Sequence, residues 1–573
     1  MKKYLFLLAL IYSFRVDAQN ALAIPPLLTG TTFNLNIIDS TTQFWTGINT
    51  ITYGVNGNIL GPTLQLNKGD SVTMNVTNQL TGSGNSTTIH WHGMHVPPKD
   101  DGGPHQVINQ GATWSPKFKV MNDAGTFWYH PHGFNKTDRH VSKGIAGMII
   151  VKDAQEASLN LPRTYGIDDI PLVIQTKEFD ILHQIAIATF MDTLQMVNAT
   201  INPYQNLPAQ VVRLRLLNGA SQRTFQLGFS NNMNFSLIGN DGGLLDAPQT
   251  MNRIRLANGE RAEILIDLST FLNDTIYLKC YGSELPNGIY GADSVGDAGA
   301  NQITDYYNNY LNGADFNLLQ IRVVAQTVNP VTTIPSILTT LTPLTPDANT
   351  IYRKFEIDTI GGMGINPNFA MGPFAFNKKL FAMDSINEYI LLNSKEVWTI
   401  HNKTMVAHPF HIHDVEFYIL DINGVPPPAF EKGKKDVVLI MPNDSVRFIT
   451  QFSDFTDEHI PYMYHCHVLH HEDDGMMGSF LVTEYPLSTN NIQQKNEFSI
   501  YPNPSYNYWV IKNTANENII SYSISNIIGQ EILNESNINN SSLTINNFSL
   551  AVGQYILTIY SKNSIQNFKL IKQ

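Results

Sequence analysis

The seventeen histidines are spread very unevenly along the 573-residue chain. None falls between His183 and His401, and ten lie in four short windows: His90-Trp-His92, His130-Pro-His132, His408-Pro-Phe-His411-Ile-His413, and His465-Cys-His467 followed by His471. A single buried histidine is ordinarily a hydrogen-bonded core residue. Four His-x-His pairs in a chain this poor in histidine are not explained that way. On a strand, residues i and i+2 project from the same face roughly 6.6–6.8 Å apart, so each pair can present two imidazoles to neighbouring metal ions. Eight imidazoles arranged in pairs suit a cluster of several metals. Imidazole accepts copper, zinc, iron or nickel, and these ligands alone do not choose among them.

Cys466 does choose. In His465-Cys466-His467 the strand alternation sends the thiolate to one face and both imidazoles to the other. A thiolate joined by two further histidines and a weak axial methionine is the ligand set of a blue-copper electron-transfer site. His408 and His471 can supply the imidazoles, and Met476 the thioether. An electron arriving there has a covalent path of a few bonds to metals held by His465 and His467. His95, His105, His140 and His470 lie near these motifs but off their spacing, and are expected to be ordinary side chains. Cys280, flanked by Lys279 and Tyr281, is expected to be a lone buried thiol. With only two cysteines a disulfide framework is excluded.

The elements that must position these residues read as strands. Val72, Met74 and Val76 alternate with Thr73, Asn75 and Thr77, and Ala262, Ile264 and Ile266 with Glu263 and Asp267. A period of two predicts half-buried strands of sandwiches, separated by turns such as Lys68-Gly69-Asp70. A repeat underlies the pattern: three times a strand ends at an asparagine (Asn78, Asn218, Asn402) and another strand follows, and each unit closes with a related strand, FWYHPH, IYLKCY or YMYHCH. The expected organisation is all-β: a sandwich over residues 19–155, a metal-free one over 156–326 that acts as a spacer, a Thr- and Pro-rich linker over 327–350, and a third sandwich over 351–487. A smaller sandwich without histidine follows over 495–573.

Lys2 and Lys3 followed by the apolar run Tyr4 to Phe14 read as a signal peptide, residues 1–18, cleaved after Ala18. No later run reaches the ~18 apolar residues a membrane span needs. The net charge of −12 argues against nucleic acid or an anionic membrane as a partner.

The motifs HWHG, FWYHPHG, HPFHIH and HCHVLHHEDDGMM, in this order, resemble the four copper motifs of the multicopper oxidases, with the bacterial laccases and periplasmic cuprous oxidases nearest in pattern. The similarity spans roughly residues 30–485. It implies three cupredoxin-like Greek-key domains and four copper ions. By that resemblance His408, Cys466, His471 and Met476 hold the type 1 copper, His90 and His411 the type 2 copper, and His92, His130, His132, His413, His465 and His467 the type 3 pair. It also implies that Asp101 and Glu472 pass protons to dioxygen, although by sequence either is equally a solvated loop residue. The tail, with YPNP at its start and Lys569 to Lys572 at its end, resembles the C-terminal sorting domain of the type IX secretion system. That implies export through the periplasm to the cell surface or medium, with the type IX machinery as partner.

The expected activity is laccase-like: one-electron oxidation of phenols or aromatic amines coupled to reduction of O2 to water. A cuprous oxidase is the alternative. It usually goes with a cluster of soft methionine ligands, whereas Met363, Met371, Met383 and Met441 are scattered. A non-catalytic scaffold of the same fold, or a copper nitrite reductase, would not need the complete ligand set.

Overall fold

The computed structural model describes residues 19–82, 84–296, 303–360, 372–484, 498–513, 518–526, 530–561 and 565–573. The signal-peptide expectation, Met363 and Met371 lie outside the described residues. The chain forms two compact units, Met1–Pro486 and Leu487–Gln573.

Among the described residues the first unit is built from six sheets. One pair contains the strands Thr63–Asn67, Gly147–Lys152, Gly125–His130 and His90–His92 facing Ile48–Val55, Thr32–Trp45 and Ser71–Asn78. A second pairs a seven-stranded sheet containing Val211–Asn218 and Arg261–Asp267 with a six-stranded one containing Thr275–Tyr281 and Asp315–Val324. The third contains Met477–Thr483, Tyr462–Cys466, His408–Ile412 and Val437–Ile440 facing Ile351–Thr359, Lys395–Asn402 and Ser445–Gln451. Each has its own apolar core, centred on Val76 and Trp91, on Leu214 and Ile264, and on Trp398 and Tyr464. Residues 327–350 carry no strand or helix, yet Leu338 is fully buried and its N–H donates to Asp246 O.

The three repeated asparagines do the same work in each sandwich. The Asn78 amide donates to Asn85 O and Ile108 O while its oxygen accepts from Leu80 N–H. Asn218 bonds Arg223 O, Leu256 O and Ala220 N–H in the same way, and Asn402 bonds Val406 O, Ile440 O and Thr404 N–H. All three are buried. Their amides satisfy backbone groups where the ladder stops, which the sheet itself cannot do.

Alternation predicts burial well in Ser71–Asn78, whose apolar residues are buried and whose threonines are half-buried. It fails in Arg261–Asp267, where every residue but Asp267 is buried. Here the polar face meets the first sandwich instead of water. Glu263 accepts from Thr126 Oγ1 at 2.6 Å and pairs with Arg213 and Arg215.

The second unit comprises a three-stranded sheet (Phe498–Tyr501, Tyr508–Asn513, Ser542–Asn546) and a four-stranded one ending in Gly553–Ser561 and Ile565–Lys572. Its core includes Trp509, Ile511, Tyr522 and Leu557.

Candidate metal centre

Two strand pairs carry the histidines. His90–His92 runs antiparallel to Gly125–His130, with His130 opposite His90 and Trp128 opposite His92. Directly opposed residues share a face, so His90, His92 and His130 project the same way. In the third sandwich His408–Ile412 pairs with Tyr462–Cys466, setting His465 opposite His411 and Cys466 opposite Phe410. One face thus carries His411 and His465. The other carries Cys466 into the core beside His408.

The ligand atoms gather into groups within 4.8 Å of one another: His92, His130 and His467; His132, His413 and His465; His90, His411 and His413; and His408, Cys466 and His471. The first three groups each draw on both the first and the third sandwich. In the fourth, Cys466 Sγ lies 3.5 Å from Nδ1 of both His408 and His471. Met476 is buried in the same core, and its carbonyl accepts from Cys466 N–H.

All ten histidines are buried. Burial, reinforced by their mutual proximity, holds His92, His130, His132, His411, His413, His467 and His471 well below the ordinary value of 6.5. Burial also pushes His408 down to about 3. These eight are therefore neutral, the form that ligates a metal.

Most of them spend one ring nitrogen on the protein and aim the other inward. His90, His411, His130 and His465 direct Nδ1 at the carbonyls of Asp101 (3.0 Å), Asp436 (2.8 Å), Pro131 (2.8 Å) and Cys466 (3.1 Å). Such outer partners fix the tautomer and ring orientation of a metal-binding histidine. Nε2 of His90, His132 and His411 is buried with no hydrogen-bond partner among the described residues. Buried polar atoms are rarely left so, and a metal ion would satisfy all three. An imidazole cluster beside a thiolate–imidazole site fits copper.

The multicopper oxidase signature matches residues 37–156 and 354–486, and that of a secretion system C-terminal sorting domain matches 499–573. Multicopper oxidase mco of Staphylococcus haemolyticus is 33% identical over 453 residues, 77% of this chain and 86% of that protein. The chain belongs to the multicopper oxidase family. Cell division protein FtsP of Sodalis glossinidius is 32% identical over 81% of this chain and 92% of its own length. The solved structure of CueO, a laccase-like multicopper oxidase of Ochrobactrum sp. with oxidase activity towards lignin model compounds and lignosulfonate, superposes with a TM-score of 0.69 at 33% identity, covering 81% of this chain and all of that one. The family is copper-binding, and the three sandwiches are of its cupredoxin-like kind.

In this multicopper oxidase both acids singled out by sequence are buried rather than solvated. Asp101 Oδ2 accepts from His413 Nδ1 at 2.7 Å, and its Oδ1 is 3.2 Å from His90 Nδ1. Glu472 lies 3.2 Å from Nδ1 of both His132 and His465, and accepts from Thr137 Oγ1 at 2.6 Å.

Sequence reasoning missed a third carboxylate. Asp436 Oδ1 lies 3.1 Å from His92 Nε2, and its backbone carbonyl accepts from His411. It is clamped by Arg261 of the middle sandwich, whose Nη1 donates to Oδ1 at 2.6 Å. The middle sandwich also supplies Gly259, at φ +82°, where a Cβ would stand 2.8 Å from the His467 ring. It supplies Tyr290 too, whose hydroxyl lies 3.1 Å from His471 Nε2. The middle repeat is thus part of the site's wall. No spacing rule links Arg261 to Asp436. The one available signal was an arginine in a strand expected to be half-buried.

Three of the four off-spacing histidines have hydrogen-bond partners, whereas both ring nitrogens of His470 are buried with none among the described residues. His95 lies between Asp414 (2.8 Å) and Asp454 (3.1 Å), His140 Nδ1 is 3.0 Å from Thr87 Oγ1, and His105 Nε2 is 2.9 Å from Met383 O. Cys280 is buried, and burial pushes its thiol up to about 12.

Proposed function

We propose that this chain is a laccase-like oxidase that takes electrons singly from phenols or aromatic amines and delivers them to dioxygen, forming water. The observation that carries this reading is the set of three histidine groups joined to the thiolate site through His465-Cys466-His467. On it, the type 1 copper is held by His408, Cys466, His471 and Met476, and the type 2 copper by His90 and His411. The type 3 pair is held by His92, His130 and His467 on one side and by His132, His413 and His465 on the other. Bound copper supplies one-electron chemistry at the thiolate site and dioxygen reduction at the histidine cluster.

The chain's own residues bind, orient and supply protons. The carbonyls of Asp101, Asp436, Pro131 and Cys466 fix the imidazoles. Asp101 and Glu472, each between two histidines, are placed to deliver the protons that water formation consumes. Thr137 Oγ1 orients Glu472 Oε1. The activity of the Ochrobactrum relative towards lignin model compounds supports phenolic donors. The C-terminal unit would hand the enzyme to the type IX machinery for release or display outside the cell.

The test is oxygen uptake by copper-loaded protein offered a methoxyphenol or Cu(I) in parallel, with Cys466→Ser as control and copper per chain measured in each sample. Phenol turnover lost in the variant supports the reading. Preference for Cu(I) converts it to a cuprous oxidase. A second reading is a scaffold of the same fold without catalysis, and the similarity to a cell division protein, FtsP, keeps a role other than oxidation open to test. Full copper loading with no uptake from either donor would select it.

A further inference from the structure

Neither imidazole of the thiolate site reaches solvent: His408 and His471 are 0% and 1% exposed. The ring nitrogen of each that faces away from Cys466 is covered by a hydroxyl, Thr404 Oγ1 at 2.9 Å from His408 Nε2 and the Tyr290 hydroxyl at 3.1 Å from His471 Nε2. Phe374 stands edge-on to both rings at 4.6 and 4.7 Å. A donor molecule cannot lie against either imidazole, so its electron must cross protein.

From Tyr290 a run of aromatic rings leads outward. The Tyr290 ring is 5.6 Å from that of His471 and 6.4 Å from that of Tyr306, and Tyr306 is 5.8 Å from Tyr307. Tyr290 and Tyr306 are 2% and 1% exposed, whereas Tyr307 is 39% exposed. The inner rings are fixed in place. Tyr306 accepts from Gly291 N–H at 2.8 Å and donates to Ala292 O at 2.6 Å, and Phe190 stacks on Tyr290 with planes 12° apart.

We propose that Tyr307, Tyr306 and Tyr290 form the electron path into the thiolate site, with Tyr307 as a surface contact for reductants too bulky to enter a pocket, such as polymeric phenols. The inference rests on the oxidase reading above. A phenol touching Tyr307 loses one electron, releases its hydroxyl proton to bulk water at the same surface, and leaves as a phenoxyl radical. The electron passes through Tyr306 and Tyr290 to His471 and reduces the metal held with Cys466 by one charge. Dioxygen is the terminal oxidant. The tyrosines keep their protons, and no bond within the path is made or broken.

The test tethers a ruthenium photoreductant to Asn308→Cys, next to Tyr307. The two native cysteines are buried and leave the new thiol as the selective target. Flash photolysis without oxygen follows bleaching of the blue absorption. We expect a fast intramolecular phase in the parent, retained in Tyr306→Phe, which keeps the ring, and in Tyr310→Leu, whose side chain is 69% exposed. We expect its loss in Tyr306→Leu. Tyr307→Leu, a surface change that leaves the core intact, should in turn slow anaerobic bleaching by lignosulfonate. An unchanged fast phase in Tyr306→Leu, or unchanged lignosulfonate bleaching in Tyr307→Leu, overturns the path while leaving the oxidase reading intact. A copper-loaded parent with no blue absorption overturns both.

Discussion

Arg261 and Asp436 form a forked ion pair across two sandwiches, 175 residues apart in sequence, with both side chains fully buried. The same carboxylate faces His92, so the pair links the middle sandwich to the histidine cluster. Removing one partner of a buried pair strands the other charge. Arg261→Ala is expected to destabilise the first unit by about 3–5 kcal/mol. It should also lower copper content at the cluster, and thermal unfolding with metal analysis checks both. Arg261→Lys keeps the charge but loses the fork, and should fall between.

Cys466→Ser should abolish the blue absorption and remove one copper per chain while leaving the histidine-held copper in place. The histidine groups share no atom with the thiolate. Absorption and electron paramagnetic resonance on the metal-loaded variant distinguish this from general collapse.

Asp101→Asn and Glu472→Gln keep shape and lose the capacity to take up and release a proton. Each should slow oxygen uptake by about 100-fold while leaving anaerobic bleaching by a phenol at its parental rate. Equal slowing of both would assign these carboxylates to structure alone.

His95 gives the first unit a pH dependence. Burial would lower it, but the Asp414 charge and hydrogen bonds to Asp414 and Asp454 raise it from 6.5 to about 9. A folded-state value above the unfolded one means that this stabilisation is complete below pH 6.5 and lost as pH rises through 9. The melting temperature should fall across that window. In His95→Gln that segment of the curve should flatten.

Truncation after Pro486 removes the second compact unit. Oxygen uptake and melting of the first unit should be unchanged, while export should fail. Fractionation of cells expressing both forms reads the second outcome.

How much of this was legible in the sequence depended on distance along the chain. The pairs His90/His92 and His465/His467 were readable because strand geometry converts a two-residue spacing into a shared face. The strand-ending asparagines were readable because the pattern recurs in each repeat, although each also bonds a carbonyl distant in sequence, as Asn218 does with Leu256. Asp436, Arg261 and Tyr290 were not readable, since the contacts of Asp436 with His92, of Arg261 with Asp436 and of Tyr290 with His471 form only when separate sandwiches pack. The burial of Glu263 was missed for the same reason. Alternation reports that a strand has two faces but not what covers the second.

The grouping of histidines from the first and third sandwiches has a consequence for biosynthesis. On the oxidase reading, a nascent or prematurely terminated chain ending before His465 would own neither the His92, His130 and His467 group nor the His132, His413 and His465 group, because each draws on both ends of the catalytic unit. Capacity to reduce dioxygen would therefore appear only late in synthesis, and acquisition of metal by the full cluster would report that both ends of that unit have found each other.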